Sequence, residues 1–587
     1  MKQFFKFTLA TIVGIFITSL LTMLIFVGVI GAIAGSSEKV TQLKPNSVYE
    51  LNLEGTLIDR SEDDPFTSAI NEATGQTTEV KIGLDDVLAN IEKAKNDNNI
   101  VGIYLKGGSL SAGAASIKEI RNALIGFKKS GKFIVAYADN YSQRMYYLVS
   151  VADKILLNPQ GMLELKGLSA QTMFLKNTLD KLGIEMQIVK VGTFKSAVEP
   201  LITTKMSDDN RLQMTVLMGS VWNTILKDVS ASRKIPVDSL NKYADEMLMF
   251  QPTEKALQYG LVDKLVYVES VDSILKKTAK KLDKNAELNF VSHAELLKLP
   301  SDVKFDKNKV AIIYAVGEIT DEVGDGIVAK DLIKTIHEVT KDSAVKAVVF
   351  RVSSPGGSAY ASEQIWHALT LLKAKKPLIV SMGDYAASGG YYISCLADKI
   401  VAQPNTITGS IGIFGVIPNI HGLNEKLGLT YDGVKTNKLS DAVSINRPFT
   451  PEERDLMQNY VNRGYELFVK RCADGRKMTP DQIKNIAEGR VWTGQDALRI
   501  GLVDKIGGLN DAVKLAIDKA KLKSYNISTY PEKEDFMKKL IKSFGNDVET
   551  RVMKAQLGEQ YTTLKQIRNL SKINGIQARM SYDFNIQ

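Results

Sequence analysis

DYAASGGYY, at residues 384–392, is the part of the sequence from which the remainder can be interpreted. It follows the apolar run PLIV at 377–380, which predicts a buried strand, and precedes ISCLA at 393–397, which predicts a helix. Ser388 therefore lies at a strand-to-helix turn of small residues, where little blocks a substrate from its hydroxyl. Gly389 permits close backbone approach, and free N–H groups at a helix start can stabilise an oxyanion. The stretch alone is equally compatible with a tight turn capped by a serine.

Composition indicates a globular protein of several domains. The chain has 587 residues, of which 44% are hydrophobic and 24% are charged, and a typical domain length of about 150 residues gives about four domains. The formal charge of +9 comes from basic residues spread along the chain. Because no basic run is interleaved with aromatic residues, no nucleic-acid partner is expected, although the excess would suit an anionic lipid surface.

The two cysteines, Cys395 and Cys472, form no disulfide framework. No cluster of cysteine and histidine has the spacing of metal ligands, so we expect neither a metal nor another cofactor. Cys395 lies in an apolar segment and is expected to belong to the core.

The N-terminus predicts a membrane anchor over residues 1–37. No charged residue occurs between positions 7 and 37, a run longer than the roughly 20 residues that span a bilayer. Lys2 and Lys6 precede it, so the positive-inside rule places the short end in the cytoplasm and the bulk of the chain outside. A cleaved signal peptide is the alternative, because AIA at 32–34 resembles a cleavage site.

Strands and helices alternate after the anchor. Strands are predicted at 47–53, 100–105 and 132–137, and helices at 84–95 and 115–129. This alternation is typical of βαβ units, so the sequence predicts an α/β fold with a mainly parallel sheet.

The chain contains an internal duplication. YY at 146–147 recurs at 391–392, ADKI at 152–155 recurs at 397–400, and KLG at 181–183 recurs at 426–428, each pair being 245 residues apart. GLVDK at 260–264 recurs at 501–505. We therefore predict a first copy at 45–275, a linking segment at 276–306, a second copy at 307–520 and a helical C-terminal extension at 521–587, to which we assign no chemistry.

The two copies differ where chemistry is expected. Gln143 stands where the second copy has Ser388, and the first copy lacks the PGG found at 355–357. Conversely, the first copy has Lys195 where the second has Ser440. Neutral drift can produce such differences, but the complementary pattern suggests one site assembled from both copies.

A serine becomes nucleophilic only beside a base. The four histidines lie outside the matched motifs, so nothing supports a Ser-His-Asp triad, although the sequence does not exclude one. A lysine held neutral by burial can act instead, whereas an ordinary Lys195 would be a solvated surface residue. The N–H groups of Gly389 and of Gly356 and Gly357, expected at a helix start, could bind an oxyanion. Phosphate binding is the rival use, but a P-loop motif is missing.

Three motifs resemble the signal peptide peptidase (protease IV) family in its long, two-copy bacterial form: FKSAVEP at 194–200, ASGGY at 387–391 and ITGSIGIFG at 407–415. The resemblance implies a Ser/Lys dyad with Ser388 as nucleophile and Lys195 as general base. It implies an oxyanion hole at Gly389 with Gly356 or Gly357. Ser410 would orient the lysine amine, although a turn residue at a strand end is an equal alternative for it.

The same resemblance implies two tandem α/β spiral domains like those of crotonase and the Clp protease, preceded by a transmembrane helix. The expected protein is a homotetramer of the inner membrane, single-pass and mostly periplasmic, that degrades cleaved signal peptides and other small membrane-associated peptides. A catalytically silent, oligomeric peptide-binding scaffold is the main alternative, and an acyl-CoA enzyme on the crotonase-like fold is a third. Whether Ser388 meets a lysine of its own chain or of a neighbour is left open.

Overall fold

The computed structural model describes residues 6–21, 43–62, 80–279, 287–299, 306–322, 324, 326–532 and 576–580. Residues 6–21 are helical. Within these ranges, the structure contains no helix with both the length and the apolar character needed to cross a membrane. The predicted anchor continues into residues 22–37, which lie outside the described ranges, so the anchor stays a prediction.

The described ranges contain strands β1 to β21, which in chain order are Ser47–Ile58, Lys81–Gly83, Ile100–Ser111, Phe133–Tyr141, Lys154–Leu163, Glu185–Lys190, Lys264–Leu265, Asn289–Ser292, Lys309–Val316, Ile319–Thr320, Ile327–Val328, Val345–Ser354, Gly356–Ser358, Leu378–Ala387, Lys399–Ala402, Ile407–Gly409, Phe414–Asn419, Val491–Thr493, Lys505–Ile506, Asn526–Tyr530 and Ile576–Arg579.

Beyond residue 21, the α-helices α1 to α18 are Leu84–Asn96, Ala114–Lys128, Gln143–Val149, Lys176–Leu182, Glu199–Ile202, Asp208–Arg233, Val237–Asp245, Thr253–Gln258, Val271–Thr278, His293–Lys298, Ala329–Lys341, Ala359–Lys373, Gly389–Tyr392, His421–Lys426, Pro451–Arg476, Pro480–Ile486, Gly494–Arg499 and Leu509–Ala520. Short 3-10 turns occupy Ser196–Val198, Leu248–Phe250 and Val268–Ser270.

Each copy builds its own parallel sheet. In the first, the strand order is β2-β1-β3-β4-β5-β7, with β8 also on β1, and every pairing is parallel. In the second, the order is β18-β16-β14-β12-β9-β20, and only the β16–β18 pairing on this path is antiparallel. The predicted α/β fold with mainly parallel sheets is therefore confirmed. The finer prediction of a Clp-like spiral stays a prediction.

The cores follow the expected periodicities. Alternate residues of β12, such as Val348 and Phe350, face residues four apart on α12, such as Ile365 and Leu369. The first copy repeats the arrangement with β3 and α2. Cys395 is fully buried in the second core and carries a free thiol, as the sequence predicted.

A third sheet joins the two copies, in the order β11-β10-β13-β21-β17-β6. Strand β6 of the first copy pairs antiparallel with β17 of the second copy, from Lys190 opposite Phe414 to Glu185 opposite Asn419. This pairing positions the chain that follows β6 against the second copy.

Three local predictions were wrong. The helix predicted at 393–397 lies earlier, at Gly389–Tyr392, and turns follow it, because a short apolar run does not locate a helix start. Gly356 and Gly357 were expected at a helix start, but they lie in β13, and α12 begins after Ser358, whose hydroxyl caps it. The C-terminal extension predicted as helical at 521–587 contains strands β20 and β21, because each finds a strand partner in the second copy, and residues 533–575 and 581–587 lie outside the described ranges.

A buried ionic cluster also binds the copies together. Arg351, on β12, donates from Nε to Asp59 at 2.8 Å and from Nη2 to Glu119 at 3.2 Å, both residues of the first copy. All three side chains are less than a tenth exposed. Asp384, four residues before Ser388, accepts hydrogen bonds from the hydroxyl and backbone N–H of Ser116 at the start of α2.

We expect Arg351→Met to destabilise the protein by about 3–5 kcal/mol, because it leaves two carboxylates buried without a cation. The urea midpoint and the Tm report the loss. Arg499→Met is the matched control: that guanidinium is 69% exposed beside Asp496, and its removal should cost less than about 1 kcal/mol. Equal effects of the two substitutions would contradict the role assigned to the cluster.

Candidate active site

Ser388 lies at a sharp turn between β14 and α13. Its backbone has φ 55° and ψ −114°, a conformation that costs a non-glycine residue about 1–3 kcal/mol and that surrounding contacts must enforce. Its N–H donates to the carbonyl of Gly409 at 2.7 Å, and its own carbonyl accepts from the N–H of Tyr392 at 2.8 Å. The turn therefore holds the Ser388 side chain in one direction, where it is fully buried.

The Lys195 amine reaches this serine from the first copy. Lys195 follows β6, and its Nζ lies 2.8 Å from Ser388 Oγ across 193 residues of the same chain. A neighbouring chain is thus not required for the contact. The backbone of Gly489 packs against Lys195, since a Cβ built on that glycine would lie 2.6 Å from Lys195 Cβ.

Burial lowers the pKa of Lys195 well below its ordinary value of 10.5. The side chain is fully buried, and the hydrogen-bond partners of its amine are uncharged oxygens. Ser388 Oγ lies at 2.8 Å, and the carbonyl oxygen and Oγ of Ser410 both lie at 3.1 Å. The ammonium form loses hydration and gains no counter-charge from these partners, so the neutral amine is favoured. A neutral amine can accept a proton, which is what the neighbouring hydroxyl must lose to become a nucleophile.

Ser410 has contacts that fit both alternatives left open by its sequence, and its role toward the lysine stays a prediction. It follows directly on β16, with a left-handed φ of 51°, and its N–H donates to the carbonyl of Arg490 at 2.7 Å. It is therefore a turn residue at a strand end. The same turn directs its hydroxyl and its carbonyl at the Lys195 amine.

The predicted oxyanion glycines are brought together in part. A Cβ built on Gly356 would lie 2.8 Å from the backbone nitrogen of Gly389, so these two glycines are in close contact. Gly357 instead packs against Ile319 of β10, where an added Cβ would lie 2.1 Å from a carbonyl oxygen. The Gly356 N–H donates to Ser354 Oγ at 3.2 Å, so these contacts do not choose between Gly356 and Gly357 as the partner of Gly389.

Gln213, on α6, was missed by sequence reasoning. Its Nε2 donates to the Phe194 carbonyl at 3.1 Å and to Ser196 Oγ at 3.0 Å, and its Oε1 accepts from the N–H of Val491 at 3.3 Å. It thus fixes both neighbours of Lys195 to the second copy. A lone glutamine on a long helix carries no motif by which sequence could have identified it.

A strand of the C-terminal segment, β21, was also missed. It lies between β13 and β17, beside the two glycines, and the Ala578 carbonyl oxygen would be 2.1 Å from a Cβ on Gly356. The sequence offers only a four-residue strand after a long stretch predicted as helix, which is too short for a periodic signal.

The corresponding position of the first copy holds no such dyad. The amide oxygen of Gln143 accepts from the N–H groups of Lys166 and Gly167, and its Nε2 donates to the Gly167 carbonyl. Ser440, the counterpart of Lys195, is exposed and donates to the Asn437 carbonyl. Gln143 and Ser440 therefore satisfy local backbone groups.

Comparisons with known proteins identify one family. The profile of Peptidase family S49 matches residues 126–283 and 370–523, one segment in each copy. "Protease 4" of Salmonella typhi is 39% identical over 485 residues, covering 80% of this chain and 78% of that protein. "Serine protease SPPA, chloroplastic" of Arabidopsis thaliana is 31% identical, covering 85% and 74%. A protein of Enterococcus faecium, named as a candidate signal peptide peptidase SppA, is 38% identical, covering 34% and 59%.

Among solved structures, a ClpP1 mutant of Listeria monocytogenes matches 34% of this chain and 94% of its own at 17% identity, with a TM-score of 0.24. That similarity is too low to assign a fold. The family assignment depends instead on the profile, which covers more than half of the chain, and on relatives matched over most of their length. The chain belongs to peptidase family S49 and is a serine peptidase built from two copies of the family's domain.

Proposed function

We propose that this protein is a membrane-anchored serine endopeptidase whose Ser388 and Lys195 form a catalytic dyad, and that it degrades cleaved signal peptides and other small membrane-associated peptides. The observation that carries the proposal is the 2.8 Å contact between Lys195 Nζ and Ser388 Oγ. The amine is fully buried and its pKa lies well below 10.5, so it can act as a base at a pH where an exposed lysine would stay protonated.

Acylation begins when Ser388 Oγ attacks the carbonyl carbon of the substrate while its proton passes to Lys195 Nζ. The carbonyl oxygen becomes an oxyanion, which the backbone N–H groups of Gly389 and of Gly356 or Gly357 stabilise. The C–N bond then breaks, and the leaving amine takes the proton from Lys195. The product of this half-reaction is an ester between Ser388 and the peptide.

Deacylation reverses the roles with water. Lys195 takes a proton from a water molecule, the hydroxide attacks the ester carbonyl, and Ser388 Oγ leaves with the proton returned by the amine. The Ser410 hydroxyl and carbonyl orient the amine throughout, because both lie within hydrogen-bond distance of it. We therefore assign Ser410 a positioning role.

The surroundings of the dyad suit apolar peptides. Ala387, which precedes Ser388, belongs to an apolar cluster with Met214, Leu217, Ile407 and Val491. Side chains of this kind favour apolar substrate residues through the area that they bury. Signal peptides have an apolar core, and one relative is named for that substrate.

The proposed anchor comprises residues 1–37. Phe7, Leu9, Phe16 and other apolar side chains of residues 6–21 are exposed, as expected of a surface that faces lipid. Lys2 and Lys6 keep the short N-terminal end in the cytoplasm, which leaves both copies on the extracytoplasmic side, at the inner membrane facing the periplasm.

The exposed apolar residues after α14 support the proposal that the protein is a homotetramer. Leu427, Leu429, Tyr431 and Val434 are all more than 45% exposed. They lie in the part of the second copy that corresponds to the lysine-bearing part of the first. In the first copy, the corresponding segment contains β6, which pairs with β17 of the second copy. By analogy, we expect the exposed segment of the second copy to pack against a neighbouring chain.

Ser388→Ala and Lys195→Ala should each lower kcat/KM on an apolar peptide by at least about 10³-fold. The first substitution removes the proposed nucleophile and the second removes its general base, and neither group acts without the other. Circular dichroism and Tm should stay near those of the parent. The matched controls are Ser440→Ala and Lys438→Ala, two exposed residues of the corresponding segment in the second copy, which should keep full activity. Full activity of either dyad variant would refute the mechanism.

A serine-directed probe separates the proposed peptidase from a silent peptide-binding scaffold. Intact-mass measurement should show one adduct at Ser388 in the parent and none in Ser388→Ala. An unlabelled parent chain that still binds peptide would favour the scaffold.

Activity should rise with pH through the lowered pKa of Lys195. The neutral amine is required, so kcat/KM increases as the amine loses its proton and reaches a plateau at a pH well below 10.5. The pH profile of kcat/KM on a peptide without titratable groups tests this. Lys195→Arg should be inactive across the range, because a guanidinium keeps its proton. A profile that rises only near pH 10.5 would contradict a buried base.

Removing residues 1–37 should move the protein from the carbonate-resistant membrane fraction to the soluble fraction while cleavage of a soluble peptide persists. Replacing Lys2 and Lys6 by Gln is the milder control, since it keeps the apolar run and should keep the protein in the membrane. Persistence of the truncated chain in the carbonate-resistant fraction would contradict the anchor.

A further inference from the structure

The first copy contains a cavity at the place that corresponds to the cleft around Ser388. Corresponding residues of the two copies are 245 apart here, so Gln143 takes the place of Ser388, and Ser111 takes that of Gly356. Gln143 and Ser111 both line a cavity of about 600 Å³, a size within the range of ligand-binding sites in proteins. The duplication has therefore left this chain with a second cleft, in which a glutamine replaces the serine.

The second copy forms one wall of this cavity and contributes a buried amide to it. Asp384, Tyr385, Asn405 and Ile407 line the cavity together with residues of the first copy. Asn405 lies in the loop between β15 and β16, and it is only 2% exposed. Neither its amide oxygen nor its amide nitrogen has a hydrogen-bond partner in the part of the chain that the structure describes. An unpartnered buried amide is costly, so its position in a cavity points to a ligand that pairs with it.

The charged side chains of the cavity balance one another and already have partners. Lys166 Nζ lies 2.6 Å from Glu164 Oε1, and Arg144 Nη1 donates to the Leu110 carbonyl at 3.2 Å. Asp384 accepts from backbone N–H groups at the start of α2. With two cations and two carboxylates, the lining has no net formal charge. A phosphate or another ion would be buried here without a counter-charge, so the cavity favours an uncharged ligand.

The remaining lining residues are largely apolar, and they include Leu57, Ile117, Leu168, Ile225 and Ile407. A ligand that suits this cavity therefore combines apolar groups with a hydrogen-bonding unit complementary to an amide. One residue of an extended peptide has this unit, because its N–H and C=O point to the same side of the chain. That N–H can donate to the Asn405 amide oxygen while the C=O accepts from the amide nitrogen.

We propose that the cleft of the first copy is a non-catalytic binding site for a short, uncharged segment of an apolar peptide, which Asn405 holds by its amide. Binding here requires neither Ser388 nor Lys195 and so goes beyond the proposed function, although the choice of a peptide as the ligand rests on that function. Gln143 supplies no nucleophile, and its amide pairs with the backbone of Lys166 and Gly167. A peptide bound in this cleft therefore stays intact.

Photo-crosslinking locates the bound peptide. The probe is an acetylated and amidated peptide of alanine and photo-leucine, which has no charge, and the protein is the full-length Ser388→Ala chain. Mass spectrometry should find adducts on residues 109–114, which line the cavity. Adducts confined to the chain around residue 388, or no adducts, would overturn the inference and leave the proposed function intact. Adducts on residues 109–114 in a protein whose parent chain is inactive on every peptide would support the inference while refuting the peptidase.

A blocking substitution tests whether the cavity itself is the site. Ser111 lines the cavity but is exposed, so Ser111→Trp places an indole in the cavity without disturbing the core. This variant should lose the adducts on residues 109–114. Ser343→Trp is the matched control, since Ser343 is an exposed serine that does not line the cavity, and it should keep them. Equal labelling of the two variants would count against the site.

Asn405→Leu tests the amide. It replaces unpartnered polar groups by an apolar side chain of similar size, so the Tm should rise. The peptide concentration that half-saturates labelling of residues 109–114 should increase at least about tenfold, because two hydrogen bonds to the ligand are lost. A lower Tm together with unchanged labelling would show that Asn405 only supports the fold, and it would overturn the assigned role.

The charge of the probe tests the ligand class. Replacing one alanine of the peptide by glutamate or by lysine should raise the half-saturating concentration at least about tenfold in both cases, because the lining offers no net charge to either. A charged peptide that labels residues 109–114 at a lower concentration than the neutral one would overturn the assignment of an uncharged ligand.

Discussion

The burial of one lysine amine against one serine hydroxyl is the constraint on which this structure depends. Lys195 and Ser388 come from different copies of a duplicated domain, and they must stay within hydrogen-bond distance without water between them. A hydrogen bond of this length is lost when its atoms move apart by about 1 Å, and the catalytic role proposed for the pair would tolerate only about 0.5 Å. Such precision requires that the copies be fixed rigidly. The antiparallel pairing of β6 with β17, and the Arg351 cluster that joins β12 to the first copy, provide that rigidity.

Division of the dyad between the copies also explains how a lysine can be kept neutral. A lysine with water nearby keeps its ordinary pKa. Lowering that pKa requires that the amine be enclosed on every side, so that its charged form loses hydration. Lys195 achieves enclosure because it enters from one copy and is covered by the other: Gly489 and Ser410 belong to the second copy, and the Phe414 ring lies 5.9 Å from Nζ. Either copy alone would leave the amine partly in solvent, so its lowered pKa depends on the assembled pair.

Sequence alone predicted the duplication, the alternating strands and helices, and the residues that differ between the copies, because each leaves a local pattern. It also predicted that Ser388 and Lys195 belong together, although their catalytic roles stay predictions. What it missed depends on contacts distant along the chain. Gly356 and Gly357 are in a strand because β10 and β21 pair with them, Gln213 touches segments far from its own helix, and β21 is four residues long. The secondary-structure propensity of a short segment does not indicate which distant segments the fold will bring into contact with it.

The position of β21 follows from the hydrogen-bonding edges of the two strands beside it, β13 and β17. Between β13 and β17, the backbone N–H and C=O groups of both strands face a gap of one strand's width, and buried backbone groups must find partners. β21 is therefore held on both sides by its backbone. Its side chains alternate between the two faces of the sheet, since alternate residues share a face. Ala578 and Met580 are two apart and both enclosed, while Arg579 turns to Glu318. The enclosure of Ala578 and Met580 therefore also fixes the register of β21, because a shift by one residue would turn Arg579 into the apolar cluster.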